Sequence, residues 1–382
     1  MGNRRKMIRF VATAGFALAG ACAHADEPIR IGVPILFSGP GAFVGEAQKR
    51  TLDMQVEEIN AKGGVSNRKI ELIYYDTEGK PDVAVRMFNR LIKNDKVVAI
   101  LGPSASWEAM PVKPILEASG TPSIMLASTA AIVDPVAKCV FKTPPDDRIV
   151  VERLYQHLKG AGQTRVALLS SQDAFGDGGR KELVARAKAH GVEIVSDEKY
   201  SMEDVDLSPL LNKIKRTNAQ AVVNWSSSRA PVVMTMNYRQ VGLALPLYHS
   251  HAVLSPSFLK ATGANAEGIV VAGPKLEAGD DLPGGDPQKS AIVGFRERFQ
   301  AKYQQPASQF GAAAYDALNI LIAAIQKAGT EPSKLCAAIE QTKSHVGVYG
   351  VYNYSPTDHG GLTRDALTMF QVVKGAWKAL PQ

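Results

Sequence analysis

Two periods organise the apolar positions near the front of the chain. Ile29, Ile31, Val33 and Ile35 alternate over a short run of strand type, and Leu52, Val56 and Ile59 then recur at helical spacing before Gly63 and Gly64 stop the helix. The same succession repeats downstream. Runs at 70–75, 97–101, 123–126, 165–170, 192–195, 220–225, 246–250 and 268–272 read as strands and alternate with helical stretches. Such a βαβ series predicts an α/β fold of doubly wound parallel sheets with helices on both faces. Pro81-Asp82 opens one helix through Met87, Leu91 and Ile92, and Ser208-Pro209 opens another.

The alternation breaks twice. Thr143-Pro144-Pro145-Asp146-Asp147 suits an extended crossover followed by a helix start, because a residue before proline avoids the helical region and an acid caps a helix. Gly273-Pro274 and the turn-rich 279–288 form the second break, followed by helical segments at 291–303, 309–328 and 332–343 and then a β-rich end. A chain of 382 residues exceeds what one hydrophobic core usually serves, so two domains are expected.

Residues 1–25 change the reading of the charge. Arg4, Arg5, Lys6 and Arg9 precede an apolar stretch at 10–21 and the small residues Ala23 and Ala25, the pattern of an export signal peptide. Its removal takes four basic residues and no acidic ones, lowering the formal charge from +7 to +3. No Lys/Arg run interleaved with aromatics remains, which argues against nucleic acid, and no later apolar run reaches the ~18 residues of a membrane span. Cys22 loosely matches a lipid-anchoring cleavage site, but Ala19 stands where such sites carry leucine, so a protein released into the periplasm is the expectation. Export permits a disulfide between Cys139 and Cys336, yet their sequence separation gives no support for one, and two buried free thiols are expected.

Catalytic signatures are missing. The chain has no GxxxxGK[ST], GxSxG or HExxH, so no enzyme, cofactor or metal is expected. The pairs His249/His251 and Asp358/His359 lack a third ligand at suitable spacing, and Asp280, Asp281 and Asp286 lack the alternation and terminal Glu of a calcium loop. What remains is cleft chemistry. Ser38-Gly39-Pro40-Gly41 lies between the first strand and its helix, where open α/β folds place ligands.

Several segments then carry a family resemblance: SGPGAFVG with a helix ending INAKGG, AILGPSAS, FKTPPDD, SSQDAFGDGG, AAYDAL and GVYNYSPTDHGGL. In that order, across the whole mature chain, they resemble type I periplasmic solute-binding proteins of the leucine/isoleucine/valine-binding branch serving ABC importers. The resemblance implies two lobes joined by three crossovers and closing on a small ligand, with a membrane permease as partner. It assigns 26–145 plus 274–350 to lobe one and 146–273 plus 351–382 to lobe two, the third crossover falling near Val351.

The resemblance also implies site residues. A ligand carboxylate would be held by Ser106 and by Ser128, Thr129 and Ala130, hydroxyl and helix-terminal donors that need no counter-charge. Where amino-acid binders carry an acid for the ligand's ammonium, this chain has His251; Phe175 and Ser227 stand where tyrosines are common. His249 and His251 are expected to share a face of a strand end. With Phe43, Trp107, Phe175 and Trp225 as apolar walls, the expected ligand is an aromatic or aliphatic organic acid. An amino acid is the alternative, with Asp173 as a possible ammonium acceptor; a ligand-sensing lobe for a membrane receptor is another.

Overall fold

The computed structural model describes residues 27–39 and 41–381; the expected signal peptide and Cys22 lie outside them. The first sheet contains β1 (Ile29–Ile35), β2 (Ile70–Asp76), β3 (Ala99–Leu101), β4 (Ser123–Met125) and β5 (Val140–Lys142), all parallel in the order β2-β1-β3-β4-β5. The second contains β6 (Arg165–Ser171), β7 (Glu193–Tyr200), β8 (Ala221–Trp225), β9 (Leu247–His249) and β10 (Val270–Pro274). A short hairpin, β11 (His345–Val346) with β12 (Val351–Tyr352), precedes β13 (Leu367–Val373) and β14 (Ala376–Ala379), which add antiparallel strands at one edge of the second sheet.

The helices are α1 (Ala42–Ala61), α2 (Pro81–Arg90), α3 (Ser106–Ser119), α4 (Asp147–Gly160), α5 (Ala174–Ala187) and α6 (Ser208–Lys215) in the first half. After them come α7 (Ala230–Val241), α8 (Pro256–Thr262), α9 (Lys289–Tyr303), α10 (Gln309–Ala328) and α11 (Pro332–Glu340). Each sheet is covered on both faces, which is why its central strands are mostly apolar. One face of the first sheet packs Ile31, Val33 and Leu101 against Leu318 and Leu321 of α10, and the other buries Phe88, Val112 and Leu116 of α2 and α3. The second sheet is flanked by Val150, Leu154 and Leu183 of α4 and α5 on one side and by Leu211, Met234 and Phe258 of α6 to α8 on the other. Among the described residues no helix is long and apolar enough to cross a membrane.

Two segments bridge the expected lobes or lie close to their border. Ile292, Phe295 and Phe299 of α9 are buried in the same core as Val271 and Phe370 of the second sheet, although Lys302 and Arg298 of that helix pair with Glu57 and Glu58 of α1. Tyr352 and Tyr354 belong to the core of the first sheet, and strand pairing with the second sheet resumes at Leu367. Alternating tyrosines read as a strand, but nothing in their spacing says which sheet buries them.

The cysteines also correct the reading. Cys139 and Cys336 form a disulfide with Cα atoms 5.1 Å apart, within the ~4.4–6.8 Å that a bridge requires. Their 197-residue separation concealed the proximity, because α11 returns to pack on the sheet that ends with β5.

Candidate functional site

Between the lobes lies a cavity of about 640 Å³, its mouth included. It sits beyond the carboxyl ends of the strands, where loops, not ladders, present the backbone. The first lobe lines it with Leu36 after β1, 104–107 after β3 and 126–128 after β4; the second contributes Phe175 after β6, Ser227 and Ser228 after β8, and His251 and Ala252 after β9.

Ala105 holds the cap position of α3 without a side-chain bond, so neither neighbouring serine acts as the cap. Ser104 is occupied instead: its Oγ accepts from the Leu36 N–H at 3.3 Å and donates to Gln48 Oε1 at 2.6 Å. Ser106 Oγ accepts from the Thr129 N–H at 3.2 Å, which fixes the second loop against the first. The Trp107 indole donates to the Gly79 carbonyl at 2.9 Å and turns its ring to the cavity.

Of the expected site residues, Ser106, Trp107, Ser128, Phe175, Ser227 and His251 line this space. Thr129 and Ala130 do not, for a clear reason. Thr129 gives its N–H to Ser106, and the Ala130 N–H donates to Asp147 Oδ2 at 3.2 Å, so protein acceptors already fill the expected carboxylate cradle. Phe43 meets Phe310 edge-to-face at 5.8 Å and lines a separate groove with Arg50 and Lys260; only Phe310 reaches the cavity.

Across the cleft, His251 opens a short 3-10 turn instead of continuing β9, so the two histidines part. His249 stays in the core, bonded to Asn224 at 2.9 Å and Thr235 at 3.0 Å. His251 packs edge-on to Phe175 and Trp225, with centroids 5.4 and 6.1 Å away. Its Nε2 meets Ser128 Oγ at 3.0 Å, its main-chain oxygen accepts from Gln309 Nε2 at 2.6 Å, and its Nδ1 has no protein partner. Asp173 does not line the cavity: its carboxylate caps α5 through the Phe175 and Gly176 N–H groups and accepts from Ser171. Gln309 and Tyr349 complete the lining, joined by a 3.1 Å bond from the tyrosine hydroxyl to Gln309 Oε1. Both lie far downstream in a helix start and a turn, and only a buried amide at a helix entrance hinted at the first.

No charged side chain lines the cavity among the described residues. The nearest buried cation stands behind Ser128. Lys142 at the end of β5 donates to the Ser128 carbonyl and, at 3.2 Å, to the Pro145 carbonyl. Burial, and then the Lys142 charge, push His251 down to about 3, so its ring is neutral near pH 7. Burial pushes Asp147 up to about 7 against the opposing pull of Lys142.

A sequence profile described as periplasmic binding protein matches residues 28–376. The chain belongs to the periplasmic binding protein family. Within it the chain resembles proteins named for binding leucine, isoleucine and valine. It is 25% identical over 344 residues to the leucine-, isoleucine-, valine-, threonine- and alanine-binding protein of Pseudomonas aeruginosa, covering 87% of each chain. To Leu/Ile/Val-binding protein homolog 3 of Brucella melitensis it is 26% identical over 370 residues, 95% of each. An extracellular ligand-binding receptor from Rhodopseudomonas palustris superposes with a TM-score of 0.86 at 25% identity, covering 92% of this chain and 99% of that one. The fold is shared with a branched-chain amino acid transporter binding protein from Streptococcus pneumoniae, solved with isoleucine, at a TM-score of 0.82 and 21% identity over 92% of this chain and 99% of that one. Periplasmic binding proteins of this kind bind small ligands, work with ABC transporters and are not enzymes.

Proposed function

We propose that the cleft captures a small aliphatic amino acid and delivers it to the permease of an ABC importer. Kinship carries this reading over the organic acid expected from the sequence: relatives spanning nearly the whole chain are named for leucine, isoleucine and valine. Leu36, Trp107 and Phe175 supply apolar walls for an aliphatic side chain. Ser106, Ser128 and Ser227 offer hydroxyls to the carboxylate, and an ammonium would meet neutral oxygens such as Gln309 Oε1 and the Tyr349 hydroxyl.

One observation favours a second reading. The lining has His251 and no carboxylate, which suits an acid without an α-amino group. A thermal-shift series separates the two, because a ligand that binds only the folded protein raises its midpoint. Leucine, isoleucine and valine are expected to raise it and 4-methylpentanoate and benzoate to do so less. The reverse order makes the second reading correct, and no shift with either class removes both.

A further inference from the structure

The carboxylate of Asp147 belongs to the first turn of α4, in the second lobe, yet it holds a loop of the first. Its Oδ2 accepts from the Ala130 N–H at 3.2 Å, with the Thr129 hydroxyl beside it. Helix capping does not explain the residue: Asp146 is the cap of α4, accepting from the Arg148 N–H at 2.7 Å. Nor is its burial cheap, since Asp147 is wholly enclosed and Oδ1 has no protein partner. A buried carboxylate left partly unsatisfied costs stability, so what it holds has to matter. The same loop meets α5: a methyl carbon added at Gly178 would lie 2.5 Å from Thr129 Oγ1 and 3.0 Å from Asp147 Oδ2. Only a residue without a side chain lets the second lobe approach this closely. One residue earlier in the loop, Ser128 meets His251 across the cleft.

We infer that Asp147 and Gly178 are positioning residues that latch the 128–130 loop to the second lobe when the cleft closes, so that Ser128 is presented to ligand and the closed form is held partly by the protein's own carboxylate. This rests on the ligand-binding reading only for its affinity arm. Gly178→Val blocks the approach sterically without altering a residue that lines the cavity; Asp147→Ala removes the acceptor, and Asp147→Asn restores a neutral one. Small-angle scattering of the ligand-free proteins is expected to give a larger radius of gyration for Gly178→Val and Asp147→Ala than for wild type, with Asp147→Asn between. In stopped-flow measurements with the best thermal-shift hit, the dissociation rate should rise roughly tenfold or more at nearly constant association rate, since a lost charge-assisted contact acts after encounter. Equal radii across all four proteins overturn the latch even if no ligand is found. Absence of any binding with distinct radii instead removes the proposed ligand class and leaves the latch standing.

Discussion

One ring and one carbonyl of His251 tie the lobes twice, to Ser128 and to Gln309, while Nδ1 has no protein partner. Burial sets the sign of its pH dependence. Held near 3 in the closed cleft and near its ordinary 6.5 when open to water, the ring must lose a proton on closing in acid. Its contribution to closure is complete above about pH 6.5 and is lost as pH falls towards 3, by up to about tenfold per unit. Asp147, held near 7, titrates in the opposite sense, so each pH compares wild type with His251→Gln. Calorimetric Kd values should diverge between pH 7 and 5, wild type weakening relative to the variant; a constant ratio would show that the ring does not change exposure. The sequence made His251 legible as the odd residue of a familiar position, but not its turn away from His249, because where β9 ends is decided by packing. Thr129 and Ala130 fall outside the cavity lining for a related reason. Their donors looked free only because the acceptors, Ser106 Oγ and Asp147, are distant in sequence.

At the scale of elements, regular spacing was enough. The 309–328 helix appears with those bounds as Gln309–Ala328, and the strand expected at 70–75 as Ile70–Asp76. Buried parallel strands and amphipathic helices write their periods directly into the sequence. The glycine run of α5 was legible only as a motif. Glycine inside a helix costs roughly 1 kcal/mol against alanine, and contact explains its retention: a methyl carbon at Gly179 would lie 2.0 Å from the Trp225 indole nitrogen. Pairing of helices was invisible, as the disulfide shows. Cys139 and Cys336 join the end of the first sheet to α11, and a bridge closing so long a loop restrains the unfolded chain most. Cys336→Ala with Cys139→Ala, which leaves no unpaired thiol, should lower the unfolding free energy by about 2–5 kcal/mol. Denaturant titration of the double variant against oxidised wild type measures it, and an unchanged midpoint would mean that α10 and α11 are held by packing alone.

Across the whole molecule, the segment at 352–354 and α10 meet the chain where it leaves β5. The Tyr354 hydroxyl donates to the Lys142 carbonyl at 2.8 Å, the Tyr352 hydroxyl to the Thr143 carbonyl at 3.0 Å, and Thr143 Oγ1 to the Ala313 carbonyl at 2.9 Å. Lys142 lies wholly buried at this junction, its ammonium on the Ser128 and Pro145 carbonyls and within the field of Asp146, Asp147 and Asp358. Burial disfavours its charge, but two carbonyls and surrounding carboxylates compensate. Lys142→Met keeps the volume and removes the cation, leaving those carbonyls unpaired and Asp147 without its main opposing charge. Breaking a buried network from one side costs about 3–5 kcal/mol. The cost must also depend on pH. Without the lysine, the folded-state pKa of Asp147 rises further above its ordinary value, and an acid raised in this way loses stability as pH rises through the folded pKa. Relative to wild type, the variant should therefore be weaker at pH 8 than at pH 6, where Asp147 takes a proton and the unpaired charge disappears. Urea titrations at the two values decide it: an equal deficit at both would mean that Lys142 acts through its carbonyl bonds and not through charge.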